Sequence, residues 1–143
     1  MRFYTVDIKG KQEILVGFQQ KAAVYRLRLL ARLVPELATD DMNELICRYT
    51  SAVKEKLERL AENEDVLQGA AVNLAEVKLL APIVHPRQDV VCLGINYDAH
   101  AQEAGRFSSE AFGGELPYTI YFSKRVNRAT ASGESVPRYE GLV

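Results

Sequence analysis

Met42, Leu45, Ile46, Tyr49, Val53, Leu57 and Leu60 recur at steps of three and four residues. That spacing lines one face of an α-helix, and no Pro or Gly interrupts it, so a single amphipathic helix over about 41–61 is predicted. Thr39, Asp40 and Asp41 stand just ahead, where a side-chain oxygen can cap the first turn and an acid complements its dipole. Lys54, Glu55, Glu58, Arg59 and Glu62 form the polar side, which reads as a solvated face. Upstream, residues 3–8 and 13–18 are rich in Phe, Tyr, Val and Ile and flank Lys9-Gly10-Lys11-Gln12, the pattern of a β-hairpin with a Gly-containing loop. Between hairpin and helix, apolar residues at 24, 27, 29, 30 and 33 predict a shorter helix stopped by Pro35.

Glu62-Asn63-Glu64-Asp65 and Gly69 then mark a loop, and the pattern changes character at about residue 74. Val77–Leu80, Val90–Leu93 and Thr119–Phe122 are short apolar runs bounded by Pro or Gly signals, as strands are. Asn96 to Ala104 has room for one or two helical turns. The expected class is α+β, with a small hairpin-and-helix unit over 1–73 and a second domain beginning at 74 and running to 143.

Composition removes several function classes. Hydrophobic residues at 48% and charged residues at 26% are those of a folding chain. A net charge of −1 supplies no field for nucleic acid, and Arg26, Arg28, Arg32, Lys124, Arg125 and Arg128 do not add up to a basic stripe. No apolar run approaches the roughly 18 residues of a membrane span, and the N-terminus lacks the apolar stretch of a signal peptide. Cys47 and Cys92 lack the paired spacing of a zinc site or a disulfide framework and read as buried thiols in a reducing compartment, hence a cytoplasmic protein.

No Gly-rich phosphate loop or paired-histidine zinc helix is present. His85 precedes Pro86 and reads as a turn residue. His100 lies in Leu93-Gly94-Ile95-Asn96-Tyr97-Asp98-Ala99-His100-Ala101-Gln102-Glu103, three residues before Glu103. On a helical turn that spacing puts imidazole and carboxylate on one face. A carboxylate beside a histidine sets its tautomer and raises its basicity, as a general base requires. A surface ion pair has the same spacing, so the spacing leaves both readings open.

Leu80-Ala81-Pro82-Ile83, then Val90-Val91-Cys92-Leu93-Gly94-Ile95-Asn96-Tyr97, then His100 and Glu103, then Ile120-Tyr121-Phe122-Ser123-Lys124, resemble in order and gaps the fumarylacetoacetate hydrolase family. The resemblance covers residues 74 to the end and implies that the second domain holds the first strands of an incomplete mixed β-roll. It implies an enzyme that cleaves or rearranges carbon–carbon bonds of small diketo or 2-oxo acids with magnesium or a similar divalent ion. It assigns His100 and Glu103 to a catalytic dyad and Lys124 to the substrate carboxylate, for which a desolvated cation is chemically apt. The family's metal-holding E-x-E pair follows the segment resembling Pro137–Val143, so no metal ligand is expected within these residues and the 143-residue chain alone is expected to be inactive. Family enzymes are commonly dimers, which makes a homodimer an expectation here.

Two functional readings follow. In one the chain is the N-terminal portion of such an enzyme. In the other it is a non-catalytic module for assembly or binding, which the missing acidic cluster favours for this polypeptide taken alone.

Overall fold

The computed structural model describes residues 1–95, 97, 102, 103, 105, 106, 119–136, 138 and 141. The chain divides into two compact units, Met1–His85 with Arg128–Val143, and Pro86–Asn127. Helices and antiparallel strands occur together, so the class is α+β.

The first unit opens on the expected hairpin, β1 (Arg2–Ile8) and β2 (Lys11–Gly17). Ile8 pairs with Lys11, which leaves Lys9 and Gly10 as a two-residue turn. Both have positive φ, 54° and 79°, the signature of a type I′ turn whose twist matches the strands. The Asp7 carboxylate accepts the Gly10 N–H at 2.7 Å and closes the turn.

Residues 24–33 are only partly helical, and this corrects the helix predicted there. Val24–Arg26 forms β3, paired with β2, and only Leu27–Leu30 is helical (α1). Pairing with Leu15–Gly17 satisfies the backbone groups of β2's outer edge, a need that apolar spacing does not record.

The predicted helix over 41–61 exists as two, α2 (Met42–Arg48) and α3 (Ser51–Leu60). Asp41 caps α2 as expected, accepting from the Asn43 N–H at 2.9 Å. The interruption is Tyr49-Thr50, both in extended backbone. The Thr50 hydroxyl accepts the Val53 N–H at 3.3 Å, a cap competing with helix continuation, and the Tyr49 ring meets Phe3 edge-on at 5.3 Å. The expected inward face survives the break: Met42, Leu45, Val53 and Leu57 are buried, whereas Ile46 is 56% exposed. These side chains join Ile14, Val16, Tyr25, Leu30 and Leu37 in the main core.

After α4 (Glu64–Gln68), β4 (Ala71–Val72) and β5 (Lys78–Leu79) complete a five-stranded sheet of order β4-β3-β2-β1-β5. The two late strands hold opposite edges, and their connection brings Leu74 and Val77 against Val6, Leu15 and Val24 on the sheet's second face. Residues just after 73 therefore serve the first unit's sheet. Later in the chain, Ala129 donates to the Val84 carbonyl at 2.8 Å and Ala131 is buried.

The second unit contains β6 (Val90–Leu93), as anticipated, and β7 (Tyr121–Lys124), which begins two residues later than the Thr119–Phe122 run expected as a strand; the two are paired antiparallel. Val91 is 71% exposed and Tyr121 66%, on the face opposite Val90 and Phe122, which are also more than two-fifths exposed. A two-stranded ribbon with apolar residues uncovered on both faces is marginal in water.

Candidate functional site

The ribbon places Lys124. In the register, Val90 faces Lys124 and Leu93 faces Tyr121. Lys124 therefore stands at the end of the ribbon away from Gly94, three residue steps or roughly 10 Å along the strand. Its ammonium lies 5.5 Å from the centre of the Phe122 ring, on the same face of β7, a cation–π contact that holds an exposed cation in place. Glu103 is exposed on a helical turn, and Tyr97 is 65% exposed. His100 lies outside the described residues, and with it the His100–Glu103 pairing. At the Gly94 end, Gly94 donates to the Ile120 carbonyl at 2.8 Å, and a Cβ on Gly94 would meet the Ile120 side chain at 3.4 Å. That distance is an ordinary van der Waals contact, so spacing alone does not require a glycine at this position.

At the Lys124 end the second unit forms a cleft of about 370 Å³ lined by Arg87, Gln88, Asp89, Arg125 and Asn127. Two guanidinium groups and two amides meet one carboxylate there. Apolar patterning could not show this, because these residues lie just outside the two strands and converge only through their pairing.

The first unit has its own polar features. Glu13 is buried in β2 with Arg26 as a two-pronged partner, Nε to Oε2 at 2.8 Å and the terminal guanidinium nitrogen on Oε1, and Arg28 stands 3.7 Å away. The hydrogen bond to Glu13 raises the Arg26 pKa further above its ordinary value. Sequence reasoning missed this pair. An acid inside the run Lys11–Gly17 was the available signal. Glu134 accepts both terminal guanidinium nitrogens of Arg128 at 2.9 Å, the Ala131 N–H at 2.9 Å and has Lys78 at 3.1 Å. Arg128 foremost, then the backbone N–H and Lys78, hold its carboxyl far below the usual range. A smaller cavity of about 250 Å³ is lined by His85, Asp41, Asn43 and Gln12, and Asn43 donates to the His85 carbonyl at 3.0 Å. Cys47 is exposed on α2 and Cys92 is half-buried, which corrects the expectation of two buried thiols.

Among the described residues no three His, Cys, Asp or Glu side chains gather as a metal site would require. Magnesium needs several hard oxygen donors in near-octahedral array. Asp89 and Glu103 are scattered and Glu134 is engaged by cations, so the described donors do not fit such an ion. Among the same residues, no helix is long and apolar enough to cross a membrane.

By its fold and site, the protein is an α+β chain whose second unit carries a cationic ribbon end. The chain is similar to oxaloacetate tautomerase YisK of Bacillus subtilis (strain 168), 33% identical over 94 residues. Those residues are 65% of this chain and 29% of the relative, so the chain matches less than a third of that protein's length. No protein-family model matches the chain. The similarity is thus to an enzyme that acts on a small oxo acid.

Proposed function

We propose that this chain is the N-terminal portion of a cytoplasmic enzyme of the fumarylacetoacetate hydrolase type acting on small 2-oxo acids, with residues from about 74 onward contributing to its catalytic β-roll. The similarity to an oxaloacetate tautomerase carries the reading, and the Gly94-Ile95-Asn96-Tyr97, His100, Glu103 and Phe122-Ser123-Lys124 string agrees with it. Keto–enol exchange of oxaloacetate removes a proton from C3 and places one on the C2 oxygen. His100, its basicity raised by Glu103, takes the C3 proton, and Lys124 holds a substrate carboxylate. The described residues offer no ligand set for a divalent ion, so any ion would have to be held by other residues, and it would supply charge stabilisation to the substrate.

The test follows the enol absorbance of oxaloacetate with added magnesium. It uses the 143-residue chain, a chimera that appends the relative's remaining segment, and the chimera carrying His100→Ala. We expect no turnover by the short chain, exchange by the chimera, and a loss of about 10²–10⁴-fold in kcat in the variant. No exchange by the chimera, or an unimpaired variant, would remove the reading. The second reading, an assembly module that forms homodimers, is favoured by the uncovered apolar faces of β6 and β7. It expects a concentration-dependent dimer in sedimentation and no turnover by either form.

A further inference from the structure

We propose that a cavity of about 530 Å³ in the first unit binds an organic monocarboxylate with an apolar body, Arg2 and Lys21 taking the carboxylate and Tyr4, Val24 and Leu74 enclosing the body. The site does not depend on the reading above. Three segments wall it: the start of β1, the loop between β2 and β3, and Leu74 from the chain between β4 and β5. The Lys21 N–H closes that loop by donating to the Phe18 carbonyl at 3.0 Å. Tyr4 and Leu74 pack against the cluster of Val6, Leu15 and Val24 on the sheet's second face, which supplies the apolar wall. Gly17 admits the Tyr4 ring, since a Cβ there would stand 3.3 Å from Tyr4 Cε2 and 3.5 Å from Val24 Cγ1 and would crowd the ring out of its place. Apolar walls with a few placed polar groups, in a volume of roughly 300–1,000 Å³, are the ordinary form of a small-molecule site. Two cations and no carboxylate line the cavity. Among the described residues the Arg2 guanidinium has no carboxylate or hydrogen-bond partner, and neither has the Tyr4 hydroxyl. Lys21 is paired with Glu64, which lies outside the lining and is 74% exposed. An exposed pair of this kind contributes little, so the ammonium is available to a ligand. A guanidinium matches a carboxylate with two parallel hydrogen bonds, whereas an inorganic anion would leave the apolar wall and most of the volume in water.

The site is tested on the 143-residue chain by following backbone amide resonances at constant ionic strength during titration with phenylacetate, phenylacetamide and acetate. Phenylacetate should shift residues 17–24 and 74. It should bind about ten-fold or more tightly than phenylacetamide, which lacks the charge, and than acetate, which lacks the body. Arg2 is exposed at the first residue of β1, so Arg2→Gln leaves the fold intact; it should remove most of the preference over phenylacetamide and leave phenylacetamide binding as it was. Gly17→Ala, by moving the Tyr4 ring, should weaken both. Glu64→Gln releases Lys21 and should tighten phenylacetate binding, a gain that damage to the fold cannot imitate. No shift at these residues, phenylacetate and phenylacetamide binding alike, acetate matching phenylacetate, or a preference unchanged in Arg2→Gln would each overturn the proposal.

Discussion

Replacing Arg26 with Leu should destabilise the first unit strongly, and replacing Glu13 as well should restore it. The Glu13 side chain is 3% exposed in β2, and Arg26, at 33%, supplies its two close contacts. Removing the guanidinium leaves a desolvated carboxylate with only Arg28, 3.7 Å away and 42% exposed. Breaking a buried pair from one side costs about 3–5 kcal/mol. Arg28 and the partial exposure of position 26 place this case near the low end, about 3 kcal/mol. For a domain of this size each kcal/mol lowers Tm by about 4–8 °C, so a fall of roughly 12 °C or more is expected. In Glu13→Leu with Arg26→Leu no charge is left buried, and apolar replacement of such a pair is often neutral or stabilising. The double variant should lie within about 1 kcal/mol of the parent. The chain has no Trp, so urea unfolding is followed by far-ultraviolet circular dichroism. A cost below about 1 kcal/mol for Arg26→Leu, or a double variant as weak as the two singles combined, would refute the claim that the buried Glu13 carboxylate depends on Arg26.

Three further outcomes are expected. Thr50→Ala removes the cap of α3, whose hydroxyl accepts from Val53 at 3.3 Å, and should cost about 1 kcal/mol in the same urea assay; an unchanged midpoint would show that the cap does not matter. Lys9 sits at φ 54° in a type I′ turn, so Lys9→Asn should raise the unfolding midpoint slightly, by about 0.5 kcal/mol, because Asn tolerates that region better; destabilisation would contradict the turn assignment. The Glu134 carboxyl is depressed by Arg128, the Ala131 N–H and Lys78, so its stabilising effect is present above the unfolded value near about 4.3 and fades as pH falls below it. The stability gap between the parent and Glu134→Gln should therefore be widest at neutral pH and narrow in acid, and a gap independent of pH would remove the ionic account.

Local signals carried far in this chain. The hairpin was legible because strand-forming residues flank a Gly turn, and β6 and β7 because short apolar runs stand between Pro and Gly breaks. The buried face of Met42, Leu45, Val53 and Leu57 was legible from spacing alone, since burial follows periodicity wherever a helix forms. Continuity of that helix was not legible. The Thr50 cap and the Phe3–Tyr49 contact depend on how the chain turns against the sheet, and spacing carries no term for them. Residues 24–26 became a strand because β2 needed a partner along its edge, which is a demand of the sheet and not of the segment. For the candidate site, residue types and order suggested His100, Glu103 and Lys124, whereas register put Lys124 opposite Val90, at the end of the ribbon away from Gly94. Sequence by itself determined the hairpin, the β6 strand and the inward face of the 41–61 segment, because those depend on neighbours a few residues away; tertiary structure decided that residues 24–26 form a strand, where the helix breaks and which distant charges meet, because backbone pairing and the burial of ions are settled between segments far apart in the chain.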